Sequence, residues 1–227
     1  MKTNQHRFAV RPSFRLLAAL PFLLVLGACG LTGQVSPVSI IAPELDLQTD
    51  ERWNAVDWAL QVRRPVADQM RDSERILIRT GASRLQPYPA SSWLDNVPDM
   101  LQSLTIQALE DSGRFVGVGR AGSLRSRFAL ATELRRFEGV DDGRADLAVD
   151  LVIQANLVDQ RSGRVAASRT FTVRERAGGK ELDDLVIAFE RVMQEYFFQL
   201  TGWVLDEGEL ARAQFDENRP NGRDRRR

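Results

Sequence analysis

The stretch ADLAVDLVIQANLVDQ, residues 145–160, has the clearest hydrophobic period in the chain. Polar residues fall between apolar ones on alternate positions, the apolar set being Leu147, Val149, Leu151, Ile153, Ala155 and Leu157. A period of two is typical of a β-strand that buries one face. The pattern therefore predicts a strand with Leu151 and Ile153 in the core and with Asp150 and Gln154 less buried.

The flanking segments predict that this strand belongs to an antiparallel meander. Residues 159–165, DQRSGRV, form a predicted turn in which Asp159 bonds the turn backbone and Gly163 adopts a positive φ. Residues 165–173, VAASRTFTV, return as the partner strand, and RFALATELRRFEGV at 127–140 is a third strand. These three strands make the centre of a predicted sheet.

Two segments have helical periods. VPDMLQSLTIQALEDSG at 97–113 has Pro98 in its first turn and ends at Gly113. ELDDLVIAFERVMQEYFFQLTGWVL at 181–205 is a longer amphipathic helix, with an apolar stripe of Leu182, Leu185, Phe189, Val192, Tyr196, Leu200 and Trp203. Shorter strands are predicted at 56–62, 75–79 and 114–119. This order predicts a mixed α/β fold, a largely antiparallel sheet with two main helices packed on it.

The amino terminus predicts export. Residues 1–15 contain four basic residues and no acid, and LLAALPFLLVLGA follows without a charge. A basic lead and a short apolar core make a secretory signal, and the apolar run is shorter than the roughly 20 residues that span a bilayer. Leu26-Gly27-Ala28-Cys29 resembles the bacterial lipobox, whose cysteine is lipidated after cleavage. We therefore expect residues 1–28 to be a lipoprotein signal peptide and Cys29 to be the lipid anchor.

The composition excludes several classes of function. Removal of the four basic leader residues lowers Lys+Arg from 31 to 27 against 31 acids, which is not the balance of a nucleic-acid-binding protein. The single histidine is His6, in the leader, and the single cysteine is the predicted anchor. Histidine bases, Ser-His-Asp and Cys-His nucleophiles and ordinary zinc sites are thus excluded from the mature chain. We expect no cofactor and no metal.

Carboxylates are the remaining catalytic candidates, and each has a structural explanation. Asp141 and Asp142 precede Gly143 in a predicted turn. Acids at 181–184 begin a helix, where they complement its dipole. Those at 44–51 lie in a predicted linker. The sequence therefore favours a protein that is not an enzyme.

The predicted organisation has four parts. The signal peptide of 1–28 precedes a lipid-anchored tether at 29–54, which has Gly and Pro punctuation and weak periodicity. One domain occupies 55–206, and a disordered polar tail occupies 207–227.

Two aromatic residues in LQPYPASSWLDNVP, Tyr88 and Trp93, are the candidate partner-binding residues, because this stretch lacks a period and reads as a loop. The alternative is that Trp93 and Leu94 staple the start of the helix at 97. In ELRRFE, Arg135 and Arg136 are expected on opposite faces of a strand, where one either holds an acidic partner or, more commonly, pairs with nearby acids.

The chain resembles the ABC-type transport auxiliary lipoprotein family, through WALQVRRPVA, SERILIR, LQPYPASSWLDNVPDMLQ, ALEDSGRF, ELRRFE, LVDQRSGRVAASRTF and AFERVM, which run from Trp58 to about Val192. The resemblance implies a fold like the amino-terminal domain of TolB. It also implies an accessory role in Mce-type lipid transport, including the paraquat-inducible system, with a periplasmic Mce-domain component as partner. It implies no catalytic residues.

Three functions stay open at this stage: an adaptor that docks a transporter, a carrier that holds a lipid in a cavity, and a cell-wall enzyme that uses two acids. The adaptor is favoured. Gly30, which follows the anchor, favours the outer membrane over the inner, since Asp at that position retains enteric lipoproteins in the inner membrane. The sequence leaves open the transported lipid and the oligomeric state, a homo-oligomer included.

Overall fold

The structure is a computed structural model that describes residues 37–217. These residues form eight strands and two helices: β1 (Ser39–Ile41), β2 (Ala59–Val62), β3 (Arg75–Thr80), β4 (Arg84–Trp93), α1 (Val97–Asp111), β5 (Gly117–Arg120), β6 (Phe128–Asp141), β7 (Ala148–Asp159), β8 (Val165–Arg176) and α2 (Leu182–Glu217). The predicted mixed α/β class, with two helices on a sheet, is confirmed.

All eight strands of the described chain join in one sheet, organised around β6. One edge of β6 pairs with β2 near its start and with β3 near its end, both in parallel. The opposite edge pairs with β7 over almost its whole length, in antiparallel register, and β7 pairs likewise with β8. The long ladders are therefore antiparallel, as predicted, and the parallel ones are short.

The meander follows the predicted pattern. Leu151 and Ile153 of β7 are 0% and 1% exposed, whereas Asp150 and Gln154, which flank this pair, are half-buried. In the following turn the carboxylate of Asp159 accepts the backbone N–H of Arg161 at 2.7 Å, and Gly163 has a φ of +70°. The period of two and the turn chemistry thus place this hairpin correctly.

A β-bulge in β6 changes the prediction for ELRRFE. The register shifts between Leu134 and Arg136, so that Leu134 and Phe137 are both buried although three positions separate them. The extra residue, Arg135, and its neighbour Arg136 are both exposed, which corrects their predicted placement on opposite faces. Arg135 pairs with Glu133 at 3.1 Å, so the acid-pairing alternative describes it.

The core lies between the sheet and the two helices. The predicted stripe of α2 is buried from Leu185 to Trp203, with Leu182 partly buried at its start. Phe171 of β8 contacts Tyr196 and Trp203 at ring-centroid distances of 5.5 and 5.7 Å. These aromatic contacts fasten α2 across the meander.

The carboxyl-terminal helix is longer than predicted, and the predicted tail is shorter. α2 continues to Glu217 instead of ending at 205, which corrects the assignment of 207–217 to a disordered tail. Contacts on one side hold this extension: the Trp58 indole N–H donates to Glu209 Oε1 at 2.7 Å, and Arg212 pairs with Asp57. Because only one side of this extension packs on the domain, it contains few apolar residues. Its polar sequence therefore resembles that of a disordered tail.

Gly208→Ala should test this docked extension. A Cβ at Gly208 would lie 2.3 Å from a ring atom of Trp58, which real Cβ atoms do not tolerate. Crowding a packed site costs about 1–3 kcal/mol, whereas alanine in a free helix would stabilise by about 1 kcal/mol. We expect urea denaturation to show a net loss of stability, with the exposed neighbour Asp206→Ala nearly neutral. A stabilised Gly208→Ala chain would show that the helix is not docked here.

The segment before β2 is also part of the domain. β1 pairs in parallel with the end of β4, from Ser39 with Ser91 to Ile41 with Trp93, and Trp53 packs on Phe198 of α2 at 5.0 Å. The predicted tether of 29–54 is therefore corrected, since 39–54 belongs to the folded unit. A three-residue strand is too short to show a period.

Candidate functional site

The first part of LQPYPASSWLDNVP, up to Trp93, forms a strand instead of the predicted loop, and Val97 and Pro98 begin α1. β4 pairs with β3 on one side, while β1 covers only its last three residues, Ser91 to Trp93. The other edge of residues 84–90 has no strand partner in the described chain. Pro87 and Pro89 lack backbone N–H groups, and an edge strand is where proline fits a sheet. Because proline is rare in strands, the two prolines made this segment look like a loop in the sequence.

Tyr88 lies in this open part of β4. It is half-buried, and its hydroxyl donates to the Lys180 carbonyl at 3.4 Å, in the connection that leads to α2. Burial, with the nearby carboxylate of Glu181 as a second cause, raises the pKa of Tyr88. The phenol therefore stays neutral, and it presents a ring edge and a hydroxyl at the rim of the sheet.

A shallow cleft of about 210 Å³ surrounds this ring; we name it the Tyr88 cleft. Its walls come from β3, β4, the end of β6 and the connection before α2: Ile78, Thr80, Gln86, Pro87, Tyr88, Pro89, Asp141, Leu147 and Lys180. Lys180 Nζ lies 3.8 Å from Asp141 Oδ1. The cleft thus combines apolar surface with one charge of each sign.

Ala90, next to the cleft, has a strained backbone. Its φ is +49°, in the left-handed region, where a residue with a Cβ costs about 1–2 kcal/mol. The strain lies between the part of β4 paired with β3 alone and the part also paired with β1. It coincides with the register shift of the β3–β4 ladder, in which Leu77 pairs with Pro87 and Arg75 pairs with Ser92.

Trp93, the second candidate partner-binding residue, lies in the core. It is 1% exposed and packs against Phe189 and Phe137 at ring-centroid distances of 5.1 and 5.6 Å. The packing alternative therefore describes Trp93, whereas Leu94 is 66% exposed and does not take part in a staple. The fold does not bring Tyr88 and Trp93 together on one surface.

Asp141 and Asp142, two of the acidic residues considered for catalysis, are held by backbone and arginine N–H groups. Asp141 accepts the Gly143 N–H at 3.1 Å in the predicted turn. Arg176, whose Nη2 lies 2.6 Å from Asp142 Oδ2, lowers the pKa of Asp142 to about 2. Asp142 is therefore ionised throughout the neutral range and has no proton to give as a general acid.

Glu138, the most deeply buried acid among residues 37–217, has no signal in the sequence that marks it. It is 0% exposed in β6, and Arg79 Nε donates to its Oε1 at 2.6 Å. Arg71, itself nearly buried, contacts the other carboxylate oxygen. Two arginines on one carboxylate leave it paired on both sides, which is the arrangement of a structural ion cluster.

Two further findings concern metals and membranes. Within residues 37–217, no three His, Cys, Asp or Glu side chains are grouped closely enough to bind a metal ion. Neither α1 nor α2, the helices of this range, is long and apolar enough to cross a membrane. Cys29 lies outside the described residues, so its lipidation stays a prediction.

The chain is similar to a known protein family and to solved structures. Residues 40–200 match the family model described as ABC-type transport auxiliary lipoprotein component. The crystal structure of protein XCC0632 from Xanthomonas campestris is 33% identical, with a TM-score of 0.75, and the match covers 78% of this chain and 99% of that one. A crystal structure of an uncharacterized protein shares the fold at 16% identity, with a TM-score of 0.55 and coverage of 79% and 99%.

A relative of greater length is also similar. The uncharacterized protein bll6063 of Bradyrhizobium diazoefficiens is 24% identical over 187 residues, which cover 80% of this chain and 49% of that protein. The chain thus spans about half the length of this curated relative.

Proposed function

The chain belongs to the family of ABC-type transport auxiliary lipoproteins, and from this premise we propose that it is a non-catalytic, membrane-anchored adaptor of an Mce-type lipid transport system. The observation that carries the proposal is the family match over 40–200, which runs from β1 into the middle of α2. Glu138 and Asp142 are paired with arginines, and this pairing agrees with a protein that binds a partner and carries out no catalysis.

The proposed anchor is Cys29, in the outer membrane and facing the periplasm. Ser39, the first residue of β1, follows Cys29 by only ten positions. A chain advances by at most about 3.6 Å per residue, so β1 would lie within about 36 Å of the anchoring membrane. A domain held this close is placed to meet a transporter component that approaches that membrane.

Cys29→Ser should abolish anchoring, because a serine hydroxyl does not accept the thioether-linked diacylglycerol. We expect an uncleaved or soluble precursor in place of the processed membrane-bound protein. Fractionation at high salt, combined with the mass of the mature chain, measures both effects. Normal processing and membrane retention of Cys29→Ser would contradict the proposed lipobox.

We propose the Tyr88 cleft as the surface that contacts the periplasmic Mce-domain component. It contains a half-buried tyrosine and two prolines that fix its backbone, and the strained Ala90 follows Pro89 in the chain. Aromatic anchors of this kind dominate many interfaces. The prolines also remove edge N–H donors, so recognition would use side chains more than added strand pairing.

Tyr88→Ala should therefore weaken capture of that component at least tenfold. The folded domain should lose little stability, because the ring is only half-buried. Capture by the immobilised full chain, measured beside a melting curve, tests both expectations, and the exposed Val165→Ala on β8 is the control. Wild-type capture by a folded Tyr88→Ala chain would remove the cleft from the interface.

A lipid carrier is the second candidate, favoured by an apolar groove of about 620 Å³ between α2 and the segment before β2. Its apolar lining is Trp53, Val56, Leu205, Leu210 and Ala213. Native mass spectrometry of the protein, purified without added lipid, distinguishes the two functions. Non-covalent lipid that stays bound supports the carrier, and its absence supports the adaptor.

A further inference from the structure

A basic pocket lies at the end of the domain where α2 passes the starts of β2 and β6. Its volume is about 490 Å³, and four arginines contribute to its walls: Arg125, Arg127, Arg161 and Arg212. They come from the loop before β6, the β7–β8 turn and the extension of α2. Asp57, Trp58, Ala59 and Ser126 complete the lining.

Arg127 forms the fixed floor of this pocket. Its side chain is only 8% exposed, and its Nη2 donates to Asp159 Oδ2 at 2.7 Å. The rings of Phe128 and Phe215 lie 5.3 and 4.7 Å from the guanidinium carbon. The buried Nε of Arg127 has no acceptor among the described residues. Arg127 is thus a cation that its neighbours hold in place.

Asp159 organises a second wall. The same carboxylate that holds Arg127 accepts the backbone N–H groups of Arg161 and Ser162, at 2.7 and 3.2 Å. The turn that carries Arg161 is therefore tied to the floor. Arg212 pairs with Asp57, which also lines the pocket.

The four arginines of the pocket differ in whether a carboxylate neutralises their charge. Arg127 is neutralised by Asp159, and Arg212 by Asp57, the one acid in the lining. Arg125 and Arg161 are exposed, and neither has a carboxylate within salt-bridge distance in the described chain. The pocket therefore keeps excess positive charge in a protein that is acidic once its leader is removed.

We infer that this pocket binds a phosphate group, either free or at the head of a phospholipid. Guanidinium forks match phosphate oxygens, and charge-assisted hydrogen bonds of this type are stronger than neutral ones. The volume lies in the range of small-molecule sites and leaves room for a substituent on the phosphate. The inference stands on the pocket alone and does not require the transport role.

Isothermal titration of the full chain in neutral detergent tests the site, with inorganic phosphate and sn-glycerol 3-phosphate as probes at constant ionic strength. We expect saturable binding that Arg125→Gln with Arg161→Gln weakens at least tenfold. The matched control is Arg63→Gln with Arg84→Gln, which removes two exposed charges elsewhere and should leave the affinity within twofold. All these arginines are exposed, so both double variants should fold, as melting curves would show.

The two probes separate the sources of the phosphate. Tighter binding of glycerol 3-phosphate, by threefold or more, supports a lipid headgroup site, and equal affinities support a site for free phosphate. Absence of saturable binding to the wild-type chain, or equal loss in the two double variants, would overturn the inference.

Discussion

Leu151→Asp should leave the domain unfolded in the absence of denaturant. Leu151 is fully buried at the centre of β7, between Phe137 of β6 and Val173 of β8 in the ladder. The substitution removes a buried apolar side chain, which costs about 2–5 kcal/mol, and adds an unpaired charge that costs several more. Their sum is comparable with the whole stability of a typical domain, about 5–15 kcal/mol.

The neighbouring position supplies the control. Val152 is half-buried on the opposite face of β7, and it pairs with Arg136 and Thr172. Val152→Asp should therefore remain folded, with a cooperative urea transition followed by circular dichroism. A cooperative Leu151→Asp domain, or an unfolded Val152→Asp domain, would show that the register of β7 is wrong.

Trp93→Ala should destabilise the domain by about 3–5 kcal/mol, because it empties a buried site bounded by Phe137 and Phe189. Leu94→Ala, one position along and 66% exposed, should change the stability by less than about 0.5 kcal/mol. Urea denaturation of the two variants gives the comparison directly.

The result for Trp93 also decides how binding data are interpreted. A loss of partner capture by Trp93→Ala would reflect a weakened core, whereas the same loss by Tyr88→Ala would report the cleft. If Trp93→Ala were as stable as the wild-type chain, then Trp93 would not be in the core, and its candidacy as a partner-binding residue would be restored.

Segments whose burial follows a local period were predicted well from the sequence. The alternation in β7 and the stripe from Leu185 to Trp203 in α2 appear in the structure as predicted. In both elements one face packs on the core along the whole length, so an apolar residue in the sequence indicates a buried position.

Elements stabilised by distant partners were missed. β4 contains two prolines and is a strand because β3 pairs with it, and β1 is defined only by its contact with β4. The extension of α2 rests on Trp58 and Asp57, about 150 positions away in the chain. Contacts between residues so far apart in the chain leave no periodic pattern in the segment itself.

The candidate sites show the same division. Tyr88 was recognisable as an aromatic residue in an irregular stretch, but its cleft also needs Asp141 and Lys180, which the β6 ladder and the connection before α2 bring to it. The basic pocket joins arginines from three separate segments, the loop before β6, the β7–β8 turn and the extension of α2. Both sites are formed by the order in which the strands pair, and the hydrophobic periodicity of the sequence does not give that order.

The most direct test of the adaptor proposal is co-purification of the wild-type full chain from its own membranes in mild detergent, with identification of the bound proteins by mass spectrometry. The account predicts that a periplasmic Mce-domain component of an ABC transporter is enriched, and that Tyr88→Ala reduces its recovery at least tenfold. Recovery of the folded, anchored wild-type chain with no transport component bound would contradict the account.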